Sequence, residues 1–76
     1  MAEDVGIKGR KLVADNVRRL RKEKGLSQQE LAERADMHRT HLVKFENYHV
    51  SPSIDVLFRL AHALGVQPAA LLSKDD

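Results

Sequence analysis

Cysteine and tryptophan are absent from this 76-residue chain, and its aromatics amount to one tyrosine and two phenylalanines. Without thiols there is no disulfide framework, no thiolate metal site and no cysteine nucleophile. So few rings leave no stacking platform of the kind that single-stranded DNA or RNA recognition requires. Tyr48 is the one aromatic expected at the surface. No apolar run approaches the ~20 residues that span a bilayer. The acidic start Met1-Ala2-Glu3-Asp4 lacks the apolar core of a secretory signal. The chain therefore reads as soluble and cytoplasmic, with no membrane partner. A glycine-rich phosphate loop is missing, as is a nucleophile beside a base, and a domain this small has no room for an ordinary substrate cleft. No catalytic residue, enzyme activity, cofactor or small-molecule effector is expected. Four histidines are present, and His38 and His41 are three apart. No carboxylate completes a tetrahedral set around them, so no metal site is expected.

What is present is helical periodicity throughout. Seventy-six residues make one domain, near the lower size at which an ordinary core suffices, so dimerisation is a natural supplement. Residues 1–10, with two glycines and mixed charge, read as an N-terminal arm. Residues 11–72 read as the folded domain and residues 73–76 as a polar tail. The domain is predicted to be all-α, a compact bundle of five helices. Helix 1 runs from about Lys11 to Lys24, with Val13, Val17 and Leu20 inward and Gly25 as its stop. Helix 2 opens on Ser27 with Glu30 three residues later and Leu26 and Leu31 as a hydrophobic staple. Leu31, Ala32 and Ala35 face inward, and the helix ends at Asp36, which tolerates a left-handed turn. Helix 3 covers about Arg39 to Asn47, with Met37, Leu42 and Phe45 inward. Helix 4 starts between Pro52 and Ile54, capped by Ser51 or Ser53, and carries Val56, Leu57, Leu60, Ala61 and Leu64 to a stop at Gly65. Helix 5 is short, opened by Pro68 and bearing Leu71 and Leu72.

Charge is distributed unevenly. The net charge is +2, but Lys8, Arg10, Lys11, Arg18, Arg19, Arg21, Lys22 and Lys24 crowd one segment against Asp15 and Glu23. The remainder is slightly acidic. Such a one-sided segment suits a polyanion partner, and it also suits a merely solvated helix face. Helices 2 and 3 with the three-residue turn between them match helix-turn-helix geometry, and Ala32 is small enough for a close crossing. At 100° per residue, Leu42 and Phe45 set the buried side of helix 3. Thr40, Val43 and Lys44 then point outward, with Arg39 on the flank. Arg and Lys can bond guanine acceptors, Thr offers a hydroxyl, and Val can meet a thymine methyl. His38 and His49 are placed at the edge of this face, where protonation toward pH 6 would add charge near phosphate. His62 is placed on the exposed side of helix 4.

The stretches Val17-Arg18-Arg19-Leu20-Arg21, Gly25-Leu26-Ser27-Gln28-Gln29-Glu30-Leu31-Ala32, Leu42, Phe45-Glu46-Asn47 and Leu60-Ala61-His62-Ala63-Leu64-Gly65-Val66 strongly resemble the phage repressor and Cro family, the Xre-type helix-turn-helix family. The resemblance covers about residues 11 to 72. It implies a lambda-repressor-like domain with helix 3 docking in the major groove of double-stranded DNA. It places Gln28 and Asn47 at phosphate contacts and Arg39, Thr40 and Lys44 at base-reading positions; Gln29, Tyr48 and His49 are further candidates for the phosphate flank. It also pairs Arg21 with Glu46 in a salt bridge that is structural. Three positions depart from the family pattern. Asp36 stands where Gly is usual, His38 where Ser or Thr caps helix 3, and Tyr48 where Gly follows Glu-Asn. His38-Arg39-Thr40-His41 is also similar to restriction-modification controller proteins, a branch of small proteins. The function expected is a transcription regulator, a homodimer on a roughly palindromic operator, pairing through helix 5 and the end of helix 4, with Leu71 and Leu72 among the candidates. The alternatives are an antitoxin, which binds DNA and a toxin, and a protein-interaction module that does not touch DNA.

Overall fold

A computed structural model describes residues 1–74. Its helices are α1 (Ala2–Glu23), α2 (Gln28–Arg34), α3 (Arg39–Glu46), α4 (Ile54–Leu64) and α5 (Pro68–Leu72), with no strand among the described residues. The five-helix expectation holds. α1 packs against α3, α4 and α5, while α2 packs against α3 and α4. One core results, in which Val17, Leu31, Leu42, Phe45, Leu60, Leu64 and Leu71 are fully buried.

The first helix is longer than its apolar pattern predicts, starting at Ala2 rather than Lys11. Residues 1–9 are exposed, so no burial holds them. Their helicity is an extension of a helix already nucleated by its packed half. Glu3 and Asp4 in the first turn favour it through the helix dipole. Gly6 and Gly9 each cost only ~1 kcal/mol relative to alanine. At α2 the capping box forms as read: Ser27 Oγ accepts from the Glu30 N–H at 3.0 Å, and Glu30 Oε1 accepts from the Ser27 N–H at 2.9 Å. That backbone hydrogen bond holds the Glu30 carboxyl below its ordinary pKa. Ser53, not Ser51, caps α4, accepting from the Val56 N–H at 3.1 Å. Pro52 therefore lies ahead of the cap and not in the first helical turn.

The four longer helices end alike. In each, a residue with positive φ follows the last turn, and two backbone N–H groups reach back to the carbonyls of that turn. This is the Schellman arrangement. Gly25 (φ 69°) and Gly65 (φ 72°) occupy two of these sites, where glycine meets no steric penalty. Asp36 (φ 54°) and Tyr48 (φ 70°) occupy the others, the strained turn expected at Asp36 recurring after α3. Asn16, buried to 3% exposure, was not anticipated as a structural residue. Its Nδ2 donates to the Leu71 and Ser73 carbonyls, both at 2.9 Å. It fastens the end of α5 to α1 and satisfies carbonyls the short helix leaves open. Ser73, expected in a free polar tail, is thus tied down, while residues 75 and 76 of that tail lie outside the described residues.

Candidate nucleic-acid interface

α3 is presented by a hinge with little slack. Met37 N–H donates to the Ala32 carbonyl at 2.9 Å, and Ala32, 1% exposed, lets α2 and α3 close on each other. Leu42 and Phe45 are wholly buried. With that side fixed, Arg39, Thr40 and Lys44 are exposed and Val43 is half-buried at the surface. The four residues expected to read bases share one outward face. Neither Arg39 nor Lys44 has an ion-pair partner among the described residues. His38 is exposed at the N-cap of α3 and makes no side-chain cap bond, in line with its being a poor capping residue. His49 and Asn47 are exposed beyond the other end of α3, and His62 is exposed on α4.

Arg21 and Glu46 form the expected pair. Arg21 Nε and Nη2 donate to the two Glu46 carboxylate oxygens at 2.8 and 3.0 Å, and Arg21 Nη1 donates to the Leu26 carbonyl at 2.9 Å. The side chains are 10% and 2% exposed, so this is a buried bidentate bridge tying α1 to α3. Gln28 completes it, its Nε2 donating to Glu46 Oε1 at 3.0 Å. Sequence reasoning gave Gln28 only to phosphate, but its amide is already partly committed inside the protein. Gln29 is exposed and donates to Glu33 Oε2 at 2.9 Å.

Two expectations need correction. Leu71, named for a dimer contact, is 0% exposed in the core of its own chain and has no surface to offer another. α5 is amphipathic, and of its two leucines the one turned outward is Leu72, 54% exposed. Tyr48 is not the free aromatic. Its ring lies beneath α1, with Lys11 Nζ 5.2 Å and Arg18 Cζ 5.6 Å from the centroid. Its hydroxyl accepts from Arg18 Nη2 at 2.8 Å and donates to the Asp15 carboxylate. The hydrogen bond to the Tyr48 hydroxyl is the main cause that raises the Arg18 guanidinium pKa still further, against the opposing effect of burial. The exposed aromatic is instead Phe58, 55% exposed, one turn from Ile54, 69% exposed, on α4. These two were missed because Ile54-Asp55-Val56-Leu57-Phe58 carries more apolar residues than one core face can hold. That excess was the available signal.

Among the described residues no three His, Cys, Asp or Glu side chains gather as metal ligands, and no helix is long and apolar enough to cross a membrane. A family model described as helix-turn-helix matches residues 17–71. The chain is 40% identical over 67 residues to the uncharacterized HTH-type transcriptional regulator y4dJ of Sinorhizobium fredii, covering 88% of this chain and 87% of that protein. It superposes on the hypothetical transcription factor NHTF from Neisseria with a TM-score of 0.82 at 34% identity, covering 86% of this chain and 75% of that one. It superposes on the restriction-modification controller protein C.AhdI from Aeromonas hydrophila with a TM-score of 0.79 at 31% identity, covering 82% and 94%.

Proposed function

Since this chain belongs to the phage repressor and Cro (Xre-type) helix-turn-helix family of DNA-binding transcription regulators, we propose that it binds a specific duplex sequence as a homodimer, with α3 in the major groove. The operator is roughly palindromic, and the two copies of α3 enter successive grooves about 34 Å apart. Arg39, Thr40, Val43 and Lys44 read base edges. Gln28, Gln29, His38, Asn47 and His49 lie along the phosphate flanks, and the protein acts in the cytoplasm. The observation that carries this reading is the outward α3 face, where Arg39 and Lys44 have no ionic partner among the described residues. Unpaired cations beside a small apolar side chain suit the mixed chemistry of a groove floor. Pairing of the copies falls to the exposed apolar residues Ile54 and Phe58 of α4 and Leu72 of α5.

Site selection from random duplexes, followed by titration of variants, tests the assignment. Arg39→Ala is expected to cost about 1–3 kcal/mol and to relax preference at one base pair. Gln28→Ala is expected to weaken all sequences by a similar factor, as loss of a phosphate contact does. Indistinguishable profiles for the two variants, or no duplex binding at low salt, contradict the reading.

A further inference from the structure

The basic segment at the start of the chain is only partly accounted for by the fold and the groove face. Arg21 is spent in the core, while Arg10, Lys11 and Arg18 converge on Tyr48. Arg10 Nη1 donates to the Tyr48 carbonyl at 3.3 Å, and Arg18 Nη1 donates to the Glu46 carbonyl at 3.2 Å. Arg18 also meets Asp15 at 2.7 Å. Two cations therefore lie over the ring and a third on the Tyr48 backbone, with Asp15 the one carboxylate paired among them, leaving two positive charges without a carboxylate partner among the described residues. Lys11 is the most available of them. It is exposed, its ammonium contacts only the face of the Tyr48 ring, and it has no carboxylate partner among the described residues.

Tyr48 occupies a left-handed position that costs a side-chain-bearing residue about 1–2 kcal/mol relative to the right-handed form. Its ring is what the strained backbone supports. A cation within about 6 Å of an aromatic face is held there without losing its charge. Because Tyr48 closes α3, its N–H donating to the Phe45 carbonyl at 3.1 Å and the following His49 N–H to the Lys44 carbonyl at 2.8 Å, the charge on its ring sits beside the C-terminal end of α3.

We propose that Lys11 contacts a phosphate of the duplex backbone beside the C-terminal end of α3, and that Tyr48 is the positioning residue that holds it there. The proposal rests on the duplex-binding reading above, and its test separates the two. A duplex obtained by site selection is titrated with the wild-type protein and its variants from 50 to 200 mM salt, and again with single neutral methylphosphonate linkages. Lys11→Ala should reduce the salt slope by about 0.9, so that affinity lost across that range shrinks by about 3.5-fold. Lys11→Arg should restore the slope. Tyr48→Leu should lose it with Lys11 still present, whereas Tyr48→Phe, which keeps the ring, should retain it, circular dichroism confirming that each variant is folded. One methylphosphonate position should weaken the wild type and leave Lys11→Ala unaffected. An unchanged slope in Lys11→Ala, alongside altered base preference in Arg39→Ala, overturns the Lys11 contact and leaves duplex reading intact. A Tyr48→Leu variant with the wild-type slope overturns the positioning role. Failure of the wild-type protein to bind any duplex overturns the parent reading.

Discussion

Glu46 shows what one side chain can be asked to do. It is 1% exposed, accepts from both Arg21 and Gln28, and lies in the last turn of α3, directly before the flank residue Asn47. An ion pair so buried gains attraction but loses hydration, and its net worth against an apolar pair is small. Removing one partner is another matter, because the other charge is left stranded. Arg21→Met should therefore destabilise the domain by about 3–5 kcal/mol in urea unfolding. The double replacement Arg21→Met with Glu46→Leu should recover most of that loss. If the double variant is as unstable as the single, the stranded charge is not the cause. Gln28 stands between this network and solvent, so its replacement should alter stability less than Arg21→Met while still affecting duplex affinity.

At the scale of elements, the helix ends separate what can be read from a sequence from what cannot. Asp36 has φ 54° and is exposed, so its side chain contributes no packing to offset the strain. Asp36→Ala should lower stability by about 1 kcal/mol, while Asp36→Gly, free of the left-handed penalty though costlier in entropy, should match or slightly exceed the wild type. Thermal unfolding of the two variants gives the ranking, and Asp36→Ala equal to Asp36→Gly contradicts it. The strained turn was legible because Asp is a known occupant of left-handed positions and a helix pattern stopped there. Tyr48 was legible only as a residue standing where the family usually has Gly, since a tyrosine itself carries no left-handed signal and its φ is sustained by partners some thirty residues away in sequence, Asp15 and Arg18. Ser27 and Glu30 announced α2 through contacts three residues apart, and the α3 face followed from counting 100° steps. The start of α1 escaped the same counting because residues 1–9 have no buried side to generate a period. Asn16 escaped because its partners, Leu71 and Ser73, are reached only after the chain has closed.

At the scale of the whole molecule, the question is where a second copy would dock. Leu71 is excluded by its burial, and Leu72 alone is a small surface. Ile54 and Phe58 project from the same side of α4, with Asp55 and Arg59 beside them along one open depression. In the proposed homodimer this face meets its own copy. When two copies of α4 meet antiparallel across a two-fold axis, Phe58 packs at the centre, and Asp55 on each side can face Arg59 on the other. Such pairing also makes sense energetically, since a domain of this size buries too little of its own surface to be very stable alone. Phe58→Glu places like charges against each other at that axis without touching the core, because the side chain is already 55% exposed. Sedimentation equilibrium should therefore show a monomer with an unchanged circular dichroism spectrum. Binding to a full palindrome should fall by about a hundredfold or more as the second half-site contact ceases to be intramolecular. Binding to an isolated half-site should stay as it was. A Phe58→Glu protein that still sediments as a dimer places the two-fold axis elsewhere, and one that loses half-site binding as well shows that α4 supports α3 directly and not through a partner.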